Sequence, residues 1–130
     1  MLIVAILASI AYPTYRDTLY KARRTDAQSS LMAFANAMER YYSQTNTYLG
    51  AGLSGANTGT PGIFSASAPL GGGVATYELT LNNATATTFT LVATPVGLQV
   101  LDKCGVLTLT ETGVKGVVNA ANGFDVNRCW

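Results

Sequence analysis

The 130-residue chain contains no histidine, and only 12% of it is charged: eight Lys and Arg stand against seven Asp and Glu, for a net charge of +1. Without histidine, the side chain best suited to proton transfer near neutral pH is missing, and so is the commonest metal ligand. The seven carboxylates are scattered, with no close pair placed for acid–base work. No glycine-rich phosphate loop stands between a strand and a helix. Neither an enzyme nor a cofactor is therefore expected. A charge balance so near zero does not by itself announce nucleic acid or an acidic partner. Cysteine is also sparse: Cys104 and Cys129 are the only two, 25 positions apart. Two cysteines without histidine cannot make a four-ligand zinc site within one chain, and a thiol nucleophile would lack an imidazole base. A disulfide or two inert thiols remain. The weakly charged, Thr-rich composition is common in exported surface proteins and favours the disulfide, which would contribute about 3–4 kcal/mol in the loop-entropy account.

The chain also lacks a full membrane-spanning run. Met1 to Tyr12 carries no charge and a single aliphatic hydroxyl, Ser9. A spanning helix needs about 20 apolar residues, so this run falls short. It has neither the cationic start nor the small-residue cleavage site of a signal peptide. Its length fits a buried core helix, an interfacial segment, or the back half of a membrane helix whose front would precede Met1.

The stretch after this run is distinctive. Pro13 has no N–H to offer the carbonyl of Ser9 and is expected to kink a helix there. Arg16, Asp17, Lys21, Arg23, Arg24 and Asp26 then crowd a short stretch. Asp17 and Lys21 have the favourable i, i+4 order, and Tyr20 lies one turn from both Arg16 and Arg24, within reach of cation–π contact. From Ala27 the pattern becomes amphipathic: Ala27, Leu31, Phe34, Met38 and Tyr41 or Tyr42 step by three and four. No Pro or Gly occurs between Thr14 and Gly50. One long helix over 1–46 is predicted, greasy in residues 1–13, charged in the middle, and striped for packing over 27–46.

Residues 47–73 are expected to form an irregular glycine-rich loop, unusually long for a compact domain. Strand patterns come next. In VATYELTL, Ala75, Tyr77, Leu79 and Leu81 share one face, and Thr76, Glu78 and Thr80 the other. TTFTLVAT repeats this with Phe89, Leu91 and Ala93, and CGVLTLTE with Leu107 and Leu109. Such alternation marks strands with one buried and one wet side. Asn82-Asn83 opens the first connection, Pro95 ends the second strand, and Glu111-Thr112-Gly113 ends the third. The expectation is an α+β domain: an antiparallel sheet of three to four strands over 74–115, crossed by the back half of the helix, then a C-terminal loop over 116–130 bounded by the cysteines.

Three stretches together resemble the type IV pilins of Gram-negative bacteria, in particular the PilE-type branch: AILASIAYPTYRDTLYKARRTDAQ, then MERYYSQTNTYLG, then DKCGVLTLTETGVKG with the ending NRCW. The resemblance covers essentially the whole chain. It implies the pilin fold, with a Cys104–Cys129 disulfide loop. It also implies that Leu2, Ile3, Val4, Ile6, Leu7, Ile10 and Pro13 form a helix that first anchors the subunit in the inner membrane and then packs in the core of an extracellular filament. The implied partners are further copies of the same subunit in a helical filament, the pilus assembly machinery, the inner membrane before assembly, and DNA or a surface ligand. The implied roles are adhesion, twitching motility or DNA uptake. The family's short basic leader, its methylated first residue and its early glutamate are not seen in these 130 residues, where Glu39 is the first glutamate; a truncated or incomplete start is expected. Ala5 stands where the family often has a helix-loosening glycine.

The resemblance leaves the subunit's rank open. A structural filament subunit is the first reading. A minor, ligand-binding pilin such as a DNA-uptake receptor would need a basic stripe, for which the helix offers Arg16, Lys21, Arg23 and Arg24 as subunit-contact or nucleic-acid charges, and the head adds Arg40, Lys103, Lys115 and Arg128. A type II secretion pseudopilin is a third, disfavoured because the major pseudopilins use calcium in place of the C-terminal disulfide. Asn83-Ala84-Thr85 matches a glycosylation sequon, of little weight in a bacterial chain.

Overall fold

The structure, a computed structural model, describes residues 2–130, with side chains from Tyr15 onward. Helix α1 runs from Leu2 to Thr45. It ends where Asn46 turns into the left-handed region at φ 60° and its N–H closes on the Tyr42 carbonyl at 2.7 Å, an asparagine-bearing C-terminal cap. The expected kink at Pro13 and the side chains of Leu2, Ile3, Val4, Ile6, Leu7, Ile10 and Pro13 lie outside the described residues. Among the described residues no helix is long and apolar enough to cross a membrane.

Beyond α1, five strands form an antiparallel meander: β1 (Ser67–Ala68), β2 (Tyr77–Asn82), β3 (Thr90–Pro95), β4 (Val106–Thr110) and β5 (Lys115–Val118). A four-residue helix, α2 (Val126–Cys129), closes the chain. The sequence periodicity locates the three central strands within three residues at each end, and their inward sets pair across the sheet: Leu81 opposite Leu91, Leu91 opposite Leu109, Ala93 opposite Leu107. These residues, with Tyr77, Leu79 and Phe89, are buried beneath Ala27, Leu31, Phe34 and Met38 of α1. Aromatic contacts finish the core, with Phe34 stacked on Phe64 at 5.0 Å and Tyr48 edge-on to Phe89 at 4.8 Å.

The sheet has five strands rather than three to four, and the two additional strands lie in segments expected to be irregular. In the glycine-rich loop, β1 pairs with Tyr77 and Glu78. Further along the same edge, Gly59 exchanges both backbone hydrogen bonds with Leu81, at 2.7 and 2.8 Å. The loop thus covers the β2 edge, which would otherwise present unpaired backbone groups. β5 pairs with β4 through Val106–Val118 and Leu107–Val117. The turn into β4 requires glycine: Gly105 sits at φ +67°, and a Cβ there would approach the Val118 carbonyl oxygen to 2.6 Å.

Candidate functional site

The disulfide Cys104–Cys129 joins the start of β4 to α2 with the Cα atoms 5.7 Å apart, inside the ordinary range for such bridges. Its consequence for charge is direct. Lys103 precedes one cysteine and Arg128 precedes the other, so the bond brings together two cations remote in sequence. The tail is fixed at further points. The Ala121 N–H donates to the Lys103 carbonyl at 2.8 Å, Gln28 of α1 donates to the Cys129 carbonyl at 2.6 Å, and the Trp130 indole donates to the Gly116 carbonyl at 3.0 Å. Asp125 caps α2, its carboxylate accepting from the Arg128 N–H at 3.0 Å.

A groove of about 720 Å³ lies between α1 and this stapled tail. Arg16, Lys21 and Arg24 line it from the helix, and Lys103 and Arg128 from the head, against two acids, Asp17 and Asp102. Five of the chain's eight cationic side chains therefore converge on one concavity in a molecule of net charge +1. Walls on which cations outnumber acids five to two carry a positive potential that attracts anions. Among the groups that line it, Phe124 carries cations on its ring: the Arg128 guanidinium stands 4.0 Å from the centroid and the Lys103 ammonium 5.7 Å.

The two arginines on the helix are held differently. Arg16 donates to the Tyr20 hydroxyl at 2.9 Å and lies 5.9 Å from that ring's centroid, the contact expected from its spacing. Arg24 does not turn to Tyr20. Its Nη1 donates to both Asp102 oxygens, at 2.7 and 2.8 Å, with the two side chains only 12% and 6% exposed. The tertiary partner prevails because a buried carboxylate must be paired. Asp17 and Lys21 do not close their expected ion pair: among the described residues the Arg24–Asp102 pair stands alone, which leaves Lys21 exposed to the groove. Arg23 points elsewhere. One residue is a 100° step around a helix, and Arg23 lines a separate apolar cleft of about 480 Å³ with Asp26, Val74 and Leu98.

A buried polar cluster backs Asp102. The Gln99 amide donates to the backbone carbonyl of Tyr20 at 3.0 Å and to the Tyr77 hydroxyl at 3.1 Å. The Tyr77 hydroxyl faces Asp102 Oδ2 at 3.5 Å. Burial, and then the nearby Asp102 charge, push the Tyr77 phenol up to about 12, although the Gln99 bond pulls the other way. Tyr77 is thus a neutral spacer and not an acid. Asp102 and Phe124 are the groove residues that sequence periodicity misses. The signal that could have found part of the site is the cysteine pair itself, since a bond between positions 104 and 129 brings 103 and 128 into one neighbourhood, though it does not aim their side chains. Of the remaining head cations, Lys115 sits 5.4 Å over the Trp130 ring, and neither it nor Arg40 lines the groove.

Several known proteins are similar to this chain. The model of a family described as type IV minor pilin ComP, DNA uptake sequence receptor, matches residues 13–108. A type IV pilin from Shewanella oneidensis is 33% identical, with a TM-score of 0.53 over 85% of this chain and 97% of that one. The non-core minor pilin PilV of Neisseria meningitidis shares the fold at 23% identity, with a TM-score of 0.54 over 84% of this chain and 99% of the other. None of the curated proteins is significantly similar in sequence. The family match takes in Arg16, Lys21, Arg24, Asp102 and Lys103 and ends before Phe124 and Arg128.

Proposed function

The chain belongs to the ComP type IV minor pilin family, and from that footing we propose that it is a pilus subunit that binds DNA in the groove between α1 and the disulfide-bounded tail. Type IV pilins assemble into filaments displayed on the cell surface, and this chain is one of them. Its finer role, as a minor subunit that captures DNA, rests on one observation: the convergence of Arg16, Lys21, Arg24, Lys103 and Arg128. Phosphate contacts supply the sequence-independent part of DNA affinity, and a cluster of this kind is their electrostatic footprint. In this reading the apolar residues at the start of α1 hold the subunit in the inner membrane until the assembly machinery transfers it to the filament, where they pack against other copies.

The test is salt-dependent binding. The full chain in detergent is titrated with a fluorescent duplex of about 20 base pairs at several salt concentrations. Affinity is expected to fall steeply as salt rises. Lys21→Ala and Lys103→Ala should each reduce the slope of log K against log salt by about 1. Arg23→Ala and Arg40→Ala, outside the groove, should leave it unchanged. Binding that ignores salt, or slopes indifferent to Lys21 and Lys103, would remove the groove from consideration.

A further inference from the structure

The five cations of the groove are not equivalent, and their differences point to a division of labour. Arg24 is committed to Asp102 through Nη1. Arg16 is held against the Tyr20 ring and hydroxyl. Lys21 and Lys103 are compact point charges on flexible stems, without arginine's planar fork. Arg128 alone combines exposure with a fixed plane. Its guanidinium lies over Phe124 at 4.0 Å, and its Nη1 donates to the Gly123 carbonyl at 3.3 Å. Its backbone is held by the Asp125 cap on one side and by the Cys129 bridge on the other. Stacking and the single backbone contact orient the fork while leaving other N–H groups unused.

We propose that Arg128, stacked on Phe124, is the residue through which this pilin reads DNA sequence, donating its planar fork to the O6 and N7 acceptors of a guanine in the major groove, while Lys21 and Lys103 hold the phosphates. This rests on the DNA-binding reading above. Guanine is the base whose major-groove edge offers two adjacent acceptors, and arginine is the side chain whose paired donors match them. Two features favour base reading over a further phosphate contact. The fork is preorganised, which lowers the ordering cost of a directional contact, and a phosphate grip would not require it. The ring beneath the fork also carries Lys103, so a phosphate contact is already supplied beside Arg128.

The experiment uses the full chain in detergent and a pool of random duplexes of about 20 base pairs, enriched by repeated binding and sequenced. The best enriched duplex and a shuffled version are then titrated. The wild type should enrich guanine at a fixed position and prefer the enriched duplex. Arg128→Lys keeps the charge but loses the fork: its affinity for the shuffled duplex should change less than about twofold, while the preference for the enriched duplex falls about tenfold or more. Phe124→Leu, which removes the stacking platform but leaves Arg128, should lower the preference in the same direction. Replacing the enriched guanine by 7-deazaguanine, which lacks N7, should weaken the wild type and leave Arg128→Lys unaffected; a structural role for Arg128 would not produce that interaction. Circular dichroism and thiol labelling check that each variant stays folded and bridged. A wild type that binds DNA without enriching any sequence, or an Arg128→Lys variant that retains the preference, overturns the assignment of Arg128 and leaves the groove's role standing. A wild type that binds no duplex at all overturns both.

Discussion

Replacing Asp102 by asparagine tests the joint between α1 and the head, and with it the electrostatics of the groove. The carboxylate is 6% exposed and its partner Arg24 is 12% exposed, with Nη1 at 2.7 and 2.8 Å from the two oxygens. Two unit charges at about 4 Å attract by about 4 kcal/mol at an effective dielectric of about 20, and much of that offsets the cost of taking both out of water. The pair itself is therefore worth little net, whereas removing one member strands the other, typically at about 3–5 kcal/mol. Arg24 lines an open groove and can swing its guanidinium towards water, so the lower end, about 3 kcal/mol, is expected. The Tyr77 hydroxyl adds little, its contact with Asp102 being 3.5 Å long. Residues 15–130 retain the helix stripe and the whole sheet and are expected to fold as a soluble monomer. Urea unfolding of that fragment, followed by circular dichroism, measures the loss. Arg24→Met with Asp102→Leu should recover stability to within about 1 kcal/mol of wild type. In the full chain the same Asp102→Asn change releases Arg24 to the groove, so DNA affinity should rise and its salt slope steepen by about 1. A stability loss under about 1 kcal/mol, or a double variant as unstable as the sum of the single ones, would refute the account of the joint. Unchanged DNA binding would refute the link between joint and groove.

Phe34→Ala removes a fully buried ring stacked on Phe64 and should cost about 3–5 kcal/mol; an unchanged unfolding midpoint would contradict the packing face assigned to α1. Tyr77 is held protonated up to about 12 by burial, so its folded-state pKa lies above the unfolded value. Its contribution, about 2 kcal/mol, is complete below about pH 10 and lost as pH rises towards 12; Tyr77→Phe should flatten that decline in a series of urea midpoints. Cys104→Ser should remove about 3–4 kcal/mol in the loop-entropy account while leaving α1 formed. It should scatter Lys103, Phe124 and Arg128, so duplex affinity and surface piliation should fall further than helix content. Two reduced thiols in the assembled pilus would contradict the stapled tail.

The parts of the fold legible in the sequence are those whose burial is written locally. The stripe from Ala27 to Met38 and the alternation through Tyr77, Leu79, Leu81, Leu91, Ala93, Leu107 and Leu109 each repeat with the period of their own element, and every one of these residues is buried. β1 left no such trace, because two residues are too few to show a period. The Gly59–Leu81 bridge left none either, because it is made by backbone alone. β5 is short and only half-buried, so its pattern is equally faint.

By itself, then, the sequence determined one long helix, three central strands, a pair of cysteines suited to bridging, and the resemblance to pilins. It could count the cations but not aim them. Only the tertiary structure decided that Arg24 faces the groove and pairs with Asp102 while Arg23 faces an apolar cleft, and that Lys103 and Arg128 meet around Phe124. The physical reason is range. Hydrophobic periodicity records how each segment meets the core, and it is read over a few residues. The convergence of charges depends on where the chain returns after 78 residues between Arg24 and Asp102, or 25 between Cys104 and Cys129, and no local pattern encodes that return.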